Sequence, residues 1–211
     1  MIIKKFHSGP LAVNTYVSHD ESNHGFMVDP GGYASRIAEY IDSECITLDY
    51  IILTHGHCDH IGGVDAFRKL YTGCKVVASA KEKDLLLSSE LNSSLMFFGE
   101  ELTVQADIYV KDEERLTVGN TTLRFISTPG HSPGGMCIFA EEDDQSVCYS
   151  GDTLFRLSIG RTDLYGGDMN VLAKSIKNKL YKLPDDTLVL PGHMGETRIG
   201  EEKKYNPYVQ D

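Results

Sequence analysis

The sequence predicts an α/β fold of packed sheets covered by helices. Three observations lead there. Short β-like runs occur in both halves of the chain, helix-periodic segments fall between them, and no repeat, low-complexity stretch or Ser/Gly/Pro-rich linker divides the 211 residues. Because domains usually hold roughly 100 to 200 residues, one domain spanning residues 1–211 is expected, with room for a full hydrophobic core.

The first third offers β-like runs at Ile2–Phe6, Thr15–Ser18 and Phe26–Val28, the last stopped by Asp29-Pro30-Gly31-Gly32, so an antiparallel meander is expected. Apolar Ile37, Ala38 and Ile41 predict a helix over Ser35–Asp42, and Tyr50-Ile51-Ile52-Leu53 reads as a buried strand. Val64, Phe67, Leu70 and Tyr71 share one helical face over Val64–Tyr71, and a strand follows at Lys75–Ala78. A helix is expected around Lys81–Leu87, and the stretch from there to Leu102 carries no clear pattern. The second half gives strands at Ile108–Val110, Leu123–Ser127, Met136–Ala140 and Val147–Ser150, a helix at Val171–Leu180 and a last strand at Leu188–Leu190.

Composition narrows the function classes. The formal charge of −11 would repel a phosphate backbone or an anionic lipid surface, so neither nucleic acid nor a membrane is an expected partner. No apolar run approaches the roughly 18 residues of a membrane span, and Met1-Ile2-Ile3-Lys4-Lys5 turns polar before a secretory core could form. Five cysteines, odd in number and never spaced as Cys-x-x-Cys, indicate neither a disulfide framework nor a Cys-rich zinc module. A cytoplasmic protein with reduced thiols is the expectation.

Directly after the Tyr50–Leu53 strand comes Thr54-His55-Gly56-His57-Cys58-Asp59-His60, which packs three imidazoles and a carboxylate into six residues. Neutral imidazole and carboxylate are donors that suit zinc, and alternating positions on a tight loop can face two ions. Three further segments share one design, a strand-like run ending in a Gly-containing turn with a single candidate ligand: Thr128-Pro129-Gly130-His131, Ser150-Gly151-Asp152 and Leu190-Pro191-Gly192-His193. Each is weak alone, since a His after a Gly is commonly a turn residue. Together they bring the set to seven, enough for two adjacent cations sharing one carboxylate, whereas a structural zinc closes its shell with four. The surplus points to an open, catalytic centre and to metal-assisted hydrolysis.

Other residues near these motifs read as structural. Cys58 is expected to turn toward the core while its neighbours face the metals. His7, His19 and His24 read as surface or hydrogen-bonded histidines, and Asp29 as a turn-capping carboxylate rather than a ligand.

His55-x-His57-x-Asp59-His60 followed by His131, Asp152 and His193, in that order and spacing, resembles the metallo-β-lactamase superfamily over nearly the whole chain. Within it, Thr54–Gly63, Ser150–Phe155, Ile159–Asp163 and Pro191–His193 are similar to short bacterial members of the glyoxalase II group. The resemblance implies a four-layer αββα sandwich with a binuclear site at one edge. It implies His55, His57 and His131 on one metal, Asp59, His60 and His193 on the second, and Asp152 bridging. Asp59 and Asp152 would orient a hydroxide that attacks a thioester carbonyl. Zinc is the preferred metal, and iron and manganese also suit these donors. The implied substrate is a small-molecule thioester, S-(2-hydroxyacyl)glutathione, released as a thiol and a 2-hydroxy acid.

Full-length glyoxalase II carries a C-terminal helical domain that grips glutathione, whereas 18 residues follow His193 here, so recognition of the thiol must differ. Arg161 and Asp163 stand where that family has a substrate contact, and Arg161 could clasp a carboxylate as a fork. Equally, it could pair locally with Asp163 or Asp168. The main rival function is persulfide dioxygenase, an oxygen-consuming enzyme of the same group with one iron on the residues matching His55, His131 and Asp152. Lactonase and β-lactamase chemistry share the ligands, because a metal motif reports water activation and not the acyl group. The motif does not fix the oligomeric state.

Overall fold

The protein is described by a computed structural model over residues 1–141 and 146–210. Strands β1 (Ile2–Ser8), β2 (Val13–His19) and β3 (His24–Val28) form the expected antiparallel meander. Helix α1 (Ser35–Ser43) leads into β4 (Thr47–Ile52), which pairs in parallel with β3. Two short helices, α2 (Cys58–Ile61) and α3 (Val64–Leu70), precede β5 (Lys75–Ser79). A 3-10 turn at Ala80–Glu82 runs into α4 (Lys83–Leu86), so the helix expected at Lys81–Leu87 is broken in two. After α5 (Ser94–Phe98), β6 (Ile108–Val110) completes a six-stranded sheet in the order β1 to β6.

The second sheet collects β7 (Arg115–Val118), β8 (Thr121–Ser127), β9 (Met136–Ala140) and β10 (Val147–Gly151), then β13 (Leu188–Pro191) and β14 (Thr197–Arg198), in the order β14-β13-β10-β9-β8-β7. Between β10 and β13 lie the small hairpin β11 (Leu154–Phe155) and β12 (Ser158–Ile159) and helix α6 (Met169–Asn178), and α7 (Ile199–Tyr205) follows β14.

Three apolar clusters show the layering. Tyr16, Phe26, Val28, Ile52 and Val77 of the first sheet meet Phe125, Ile138, Tyr149 and Leu190 of the second in a central core. On the outer face of the first sheet, Met27, Ile51 and Val76 pack against Ile37 and Ile41 of α1 and Phe67 of α3. On the outer face of the second, Ile126, Phe139 and Val189 pack against Leu172 and Ile176 of α6 and Ile199 of α7. Helix, sheet, sheet, helix is the resulting order, as the sequence resemblance implied. Each large apolar side chain so buried contributes about 1.5–3 kcal/mol.

Strand direction decides where the chemistry sits. Strands β8 and β9 are antiparallel, as are β9 and β10, while β10 and β13 are parallel. Hence β8, β10 and β13 point the same way, and the residues following their C-terminal ends share one rim. The end of β4 joins that rim where the Met136 amide, at the start of β9, donates to the Thr54 carbonyl at 2.9 Å.

Candidate metal centre

All seven candidate ligands converge on this rim. His55 and His57 sit on the loop after β4, whereas Asp59 and His60 ride on the helical turn α2, so the motif is half loop and half helix rather than a loop throughout. That turn leaves the His60 ring beside His55, with centroids 4.1 Å apart. His131 follows β8, Asp152 follows β10 and His193 follows β13.

The side chains form two triads. His55 Nε2 lies 3.2 Å and His57 Nδ1 2.9 Å from His131 Nε2. In the second, His193 Nε2 lies 3.1 Å and His60 Nε2 3.6 Å from Asp59 Oδ2. Asp152 stands between them, with Oδ1 3.4 Å from His60 Nε2 and Oδ2 3.8 Å from both His131 and His193 Nε2. Each triad has its donor atoms within 4.8 Å of one another, the geometry of a site that could hold a cation.

The donor set fits divalent metal ions. Three imidazole nitrogens at 2.9–3.2 Å approach the separation of about 3.3 Å that two nitrogens adopt on a tetrahedral zinc, and their lone pairs repel without something between them. His60 Nε2 and Asp152 Oδ1 are buried with no hydrogen-bond partner among the described residues, an arrangement that is unfavourable for polar atoms unless a ligand meets them.

Surrounding residues fix which nitrogen faces inward. His60 Nδ1 donates to Asp29 Oδ2 at 2.9 Å, and the Thr54 hydroxyl donates to the same oxygen at 2.6 Å. Having given its hydrogen away, Thr54 Oγ1 accepts from His55 Nδ1 at 3.1 Å. His131 Nδ1 donates to the Arg161 carbonyl at 2.7 Å. In His55 and His131 Nδ1 therefore carries the proton and Nε2 presents its lone pair to the centre, and in His60 Nδ1 keeps its proton on Asp29 so that Nε2 is the nitrogen a cation would claim. Asp29 also accepts from the Thr54 amide at 2.8 Å, so both its oxygens are engaged, although a carboxylate oxygen of Asp29 also lies within 4.8 Å of donor atoms of His55 and His60 and makes a third grouping behind the two triads. The carboxylate therefore braces residues far along the chain, Thr54 and His60, and not its own Asp-Pro-Gly-Gly turn, whose Gly32 amide donates to Ser8 Oγ instead.

Glu82, which the sequence did not single out, is wholly buried between the two ligand loops. Its Oε2 accepts from the Gly56 amide at 2.7 Å, and its Oε1 from Ser132 Oγ at 3.0 Å and the Gly134 amide at 2.5 Å. The strand β2 clamps the third loop: Tyr16 Oη and Asn14 Nδ2 donate to the Pro191 carbonyl at 2.8 and 2.9 Å. These partners are 26 to 177 residues from the groups they hold, beyond the reach of local pattern.

Two glycines permit the crowding. Gly151 takes φ +48° at a bulge in β10, and a Cβ there would lie 2.3 Å from Thr54 Oγ1. At Gly192 a Cβ would meet Asp152 Oδ1 at 2.5 Å and His60 Cε1 at 2.6 Å.

Electrostatics follow from burial and neighbours. Desolvation, and then the adjacent imidazoles, push His55 well below its ordinary value and bring His57 down to about 3, so both are neutral donors. Burial would lower His60 too, but Asp59, Asp152 and Asp29 outweigh it and raise it well above the usual imidazole range. Burial would raise Asp59 and Asp152, yet His60 foremost holds both carboxyls below the ordinary range. Cys58 is buried and desolvation pushes its thiol up to about 11, which agrees with a structural role.

A cavity of about 440 Å³ opens on the centre, within the usual ligand-pocket range of roughly 300–1,000 Å³. Arg161 lines it, and its guanidinium forms a two-point pair with Asp163, 2.6 Å from Nε and 2.7 Å from Nη2. Asp168 instead caps α6, accepting from the Asn170 and Val171 amides. His19 and His24 are hydrogen-bonded away from the centre, to the Asp20 carbonyl and to Asp49, and His7 is exposed.

The family described as the metallo-beta-lactamase superfamily matches residues 8–193. The probable metallo-hydrolase YqgX of Bacillus subtilis is 39% identical, covering 95% of this chain and 94% of that protein. Hydroxyacylglutathione hydrolase GloC of Haemophilus influenzae is 33% identical, over 90% of this chain and 89% of its own length. Human mitochondrial persulfide dioxygenase ETHE1 is 32% identical, over 92% of this chain and 70% of that one. Among solved structures, the BLEG-1 B3 metallo-beta-lactamase superposes with a TM-score of 0.93 at 39% identity, with 100% of both chains covered. TTHA1623 in a di-iron-bound form gives 0.84 at 29% identity, over 98% of this chain and 100% of that one.

Proposed function

From the premise that this chain belongs to the metallo-β-lactamase superfamily, we propose that it is a binuclear metal-dependent hydrolase acting as a single domain on acyl thioesters of the S-(2-hydroxyacyl)glutathione type. The observation that carries the reading is the convergence of seven donor side chains from four strand ends into two triads joined by Asp152. Similarity to the Haemophilus influenzae hydroxyacylglutathione hydrolase supports the substrate class.

His55, His57 and His131 would hold one cation, Asp59, His60 and His193 the other, and Asp152 would touch both. Zinc is the first choice for this nitrogen-rich set, and iron suits it as well. What such a pair supplies when bound is Lewis acidity, which lowers the pKa of water and polarises an acyl carbonyl. Asp59 and Asp152 orient the attacking water by accepting its hydrogens, and Asp29, Thr54 and the Arg161 carbonyl keep the imidazoles from turning. In the reaction the water oxygen bonds to the acyl carbon, the carbon–sulfur bond breaks, and the products are a carboxylate, a thiol and a proton. No protein nucleophile is required. Cys58, the thiol at the cavity wall, stays protonated at neutral pH and is held by burial.

Metal analysis of the purified protein joined to an assay with S-lactoylglutathione tests the proposal. Two metal equivalents with turnover are expected, and full loading without turnover would remove that substrate.

A second reading has a specific support, the 32% identity to human persulfide dioxygenase. The two separate at His57, which that one-iron chemistry leaves unligated but which here stands 2.9 Å from His131. His57→Ala should abolish most thioester hydrolysis. One iron per chain, rapid oxygen uptake with glutathione persulfide and insensitivity to His57→Ala would instead establish the dioxygenase.

A further inference from the structure

The cavity over the candidate metal centre has walls that a lactoyl group does not need. Beyond the candidate ligands, its surface is made largely of Leu11, Phe97, Phe155, Ile159, Leu164 and Met194. Three of these stand at the solvent boundary with large apolar side chains uncovered: Leu11 is 49%, Phe97 43% and Met194 57% exposed. Single exposed apolar residues are commonplace, but three around the mouth of one reactive cavity leave an apolar face that gains by being covered.

The backbone places them there deliberately. Met194 follows His193 in a left-handed conformation, φ +67°, which is uncommon for a side chain of this type, and its carbonyl is secured by Asn14 Nδ2 at 2.9 Å. Phe97 belongs to α5, a helix of five residues entered through Ser93 at φ +67° and left through Gly99 at φ +70°. The preceding segment is tied to the ligand loop, because the Cys58 amide donates to the Asn92 carbonyl at 3.0 Å. Leu95-Met96-Phe97 are all exposed, so α5 does not spend its apolar residues on the core. This is why the stretch reads as unpatterned in sequence.

Arg161 is the one cation among the cavity's lining residues and is already neutralised by Asp163. Its carbonyl is bonded to His131 of the first triad, whereas Met194 adjoins His193 of the second. The Arg161 backbone is thus held at the first triad and Met194 beside the second, and a thioester spanning the centre would have a cationic residue lining the cavity on one side and an apolar wall on the other.

We propose, resting on the hydrolase reading above, that the preferred substrate carries an apolar acyl arm of medium length, seated against Leu11, Phe97 and Met194, rather than the three-carbon lactoyl group. The thiol end faces Arg161. The reaction is unchanged: water adds to the acyl carbon and the thiol departs.

Chain-length series test this with the metal-loaded protein. The 2-hydroxyacyl glutathione thioesters from lactoyl to 2-hydroxyoctanoyl should show kcat/KM rising about fourfold per added methylene, the size expected for methylene burial. The same acyl series on N-acetylcysteamine, a neutral thiol, should keep that slope. In Phe97→Ser/Met194→Ser, with its fold checked by circular dichroism, the slope should collapse toward unity. Binding of S-alkylglutathiones, which have no scissile carbonyl, is read by calorimetry and should tighten with chain length in the same way. Flat or falling profiles in both measurements would overturn the apolar arm. If no thioester is turned over at full metal loading, the hydrolase reading fails, and the calorimetric series alone decides the arm: rising affinity keeps it and flat affinity removes it.

Discussion

At the scale of single residues, the centre depends on groups that never touch the chemistry. Asp29 accepts three hydrogen bonds, from the Thr54 amide, the Thr54 hydroxyl and His60 Nδ1, and so fixes two imidazoles at once. Asp29→Ala should lower metal affinity about 10- to 100-fold, the usual effect of removing a carboxylate behind a ligating histidine, as read by competitive chelator titration. Arg161 offers a contrast, since its guanidinium is exposed and, among the described residues, paired with Asp163. If it meets the thiol carrier, Arg161→Ala should raise KM for a glutathione thioester about tenfold or more with kcat little altered, because losing a charged contact costs at least 1.5 kcal/mol. An unchanged KM would take Arg161 out of the substrate site. The candidate ligands were legible in sequence because His and Asp in Gly-punctuated turns after strands are conspicuous locally. Asp29 was legible only as a turn, because its bond to His60 spans 31 residues. Glu82 was silent, since a lone glutamate in a helical stretch gives no sign of burial.

At the scale of elements, the β10 bulge shows how a strand aims a ligand. The register with β13 slips between Tyr149 and Gly151, and the left-handed Gly151 then delivers Asp152 to the midpoint of the two triads. Gly151→Ala would combine the left-handed penalty with a 2.3 Å approach to Thr54 Oγ1. A loss of about 2 kcal/mol or more in urea unfolding is expected, together with loss of metal from both triads. Strands with a buried face were plain from sequence, and β1 to β6 and β8 to β10 fall close to where apolar runs placed them. Elements without that signal were not. Strand β7, Arg115–Val118, carries one buried residue, and α7, Ile199–Tyr205, buries only Ile199 and Glu202. Strands β11, β12 and β14 have two residues each, too few for any period to register.

At the scale of the whole molecule, four candidate ligands come from the first sheet's loop and three from the second's, so bound cations would join the two halves across the central core. Stripping metal should therefore lower global stability and not merely activity. With metal at 100 to 1,000 times its dissociation constant, chelation should remove about 3–4 kcal/mol, seen as a lower melting temperature with EDTA that added metal restores. An unchanged melting temperature would mean that the halves hold together without help. The same directional arrangement that gathers reacting groups on one rim leaves the opposite rim vacant of them. Strand β5 runs parallel to β4 and so begins on that far side, just after the exposed Thr72-Gly73 turn, where a Cβ on Gly73 would meet nothing within 4 Å. A fluorophore or surface tether attached there would stand a strand's length from the candidate metal centre, giving a handle for immobilising the protein with the mouth of its cavity free.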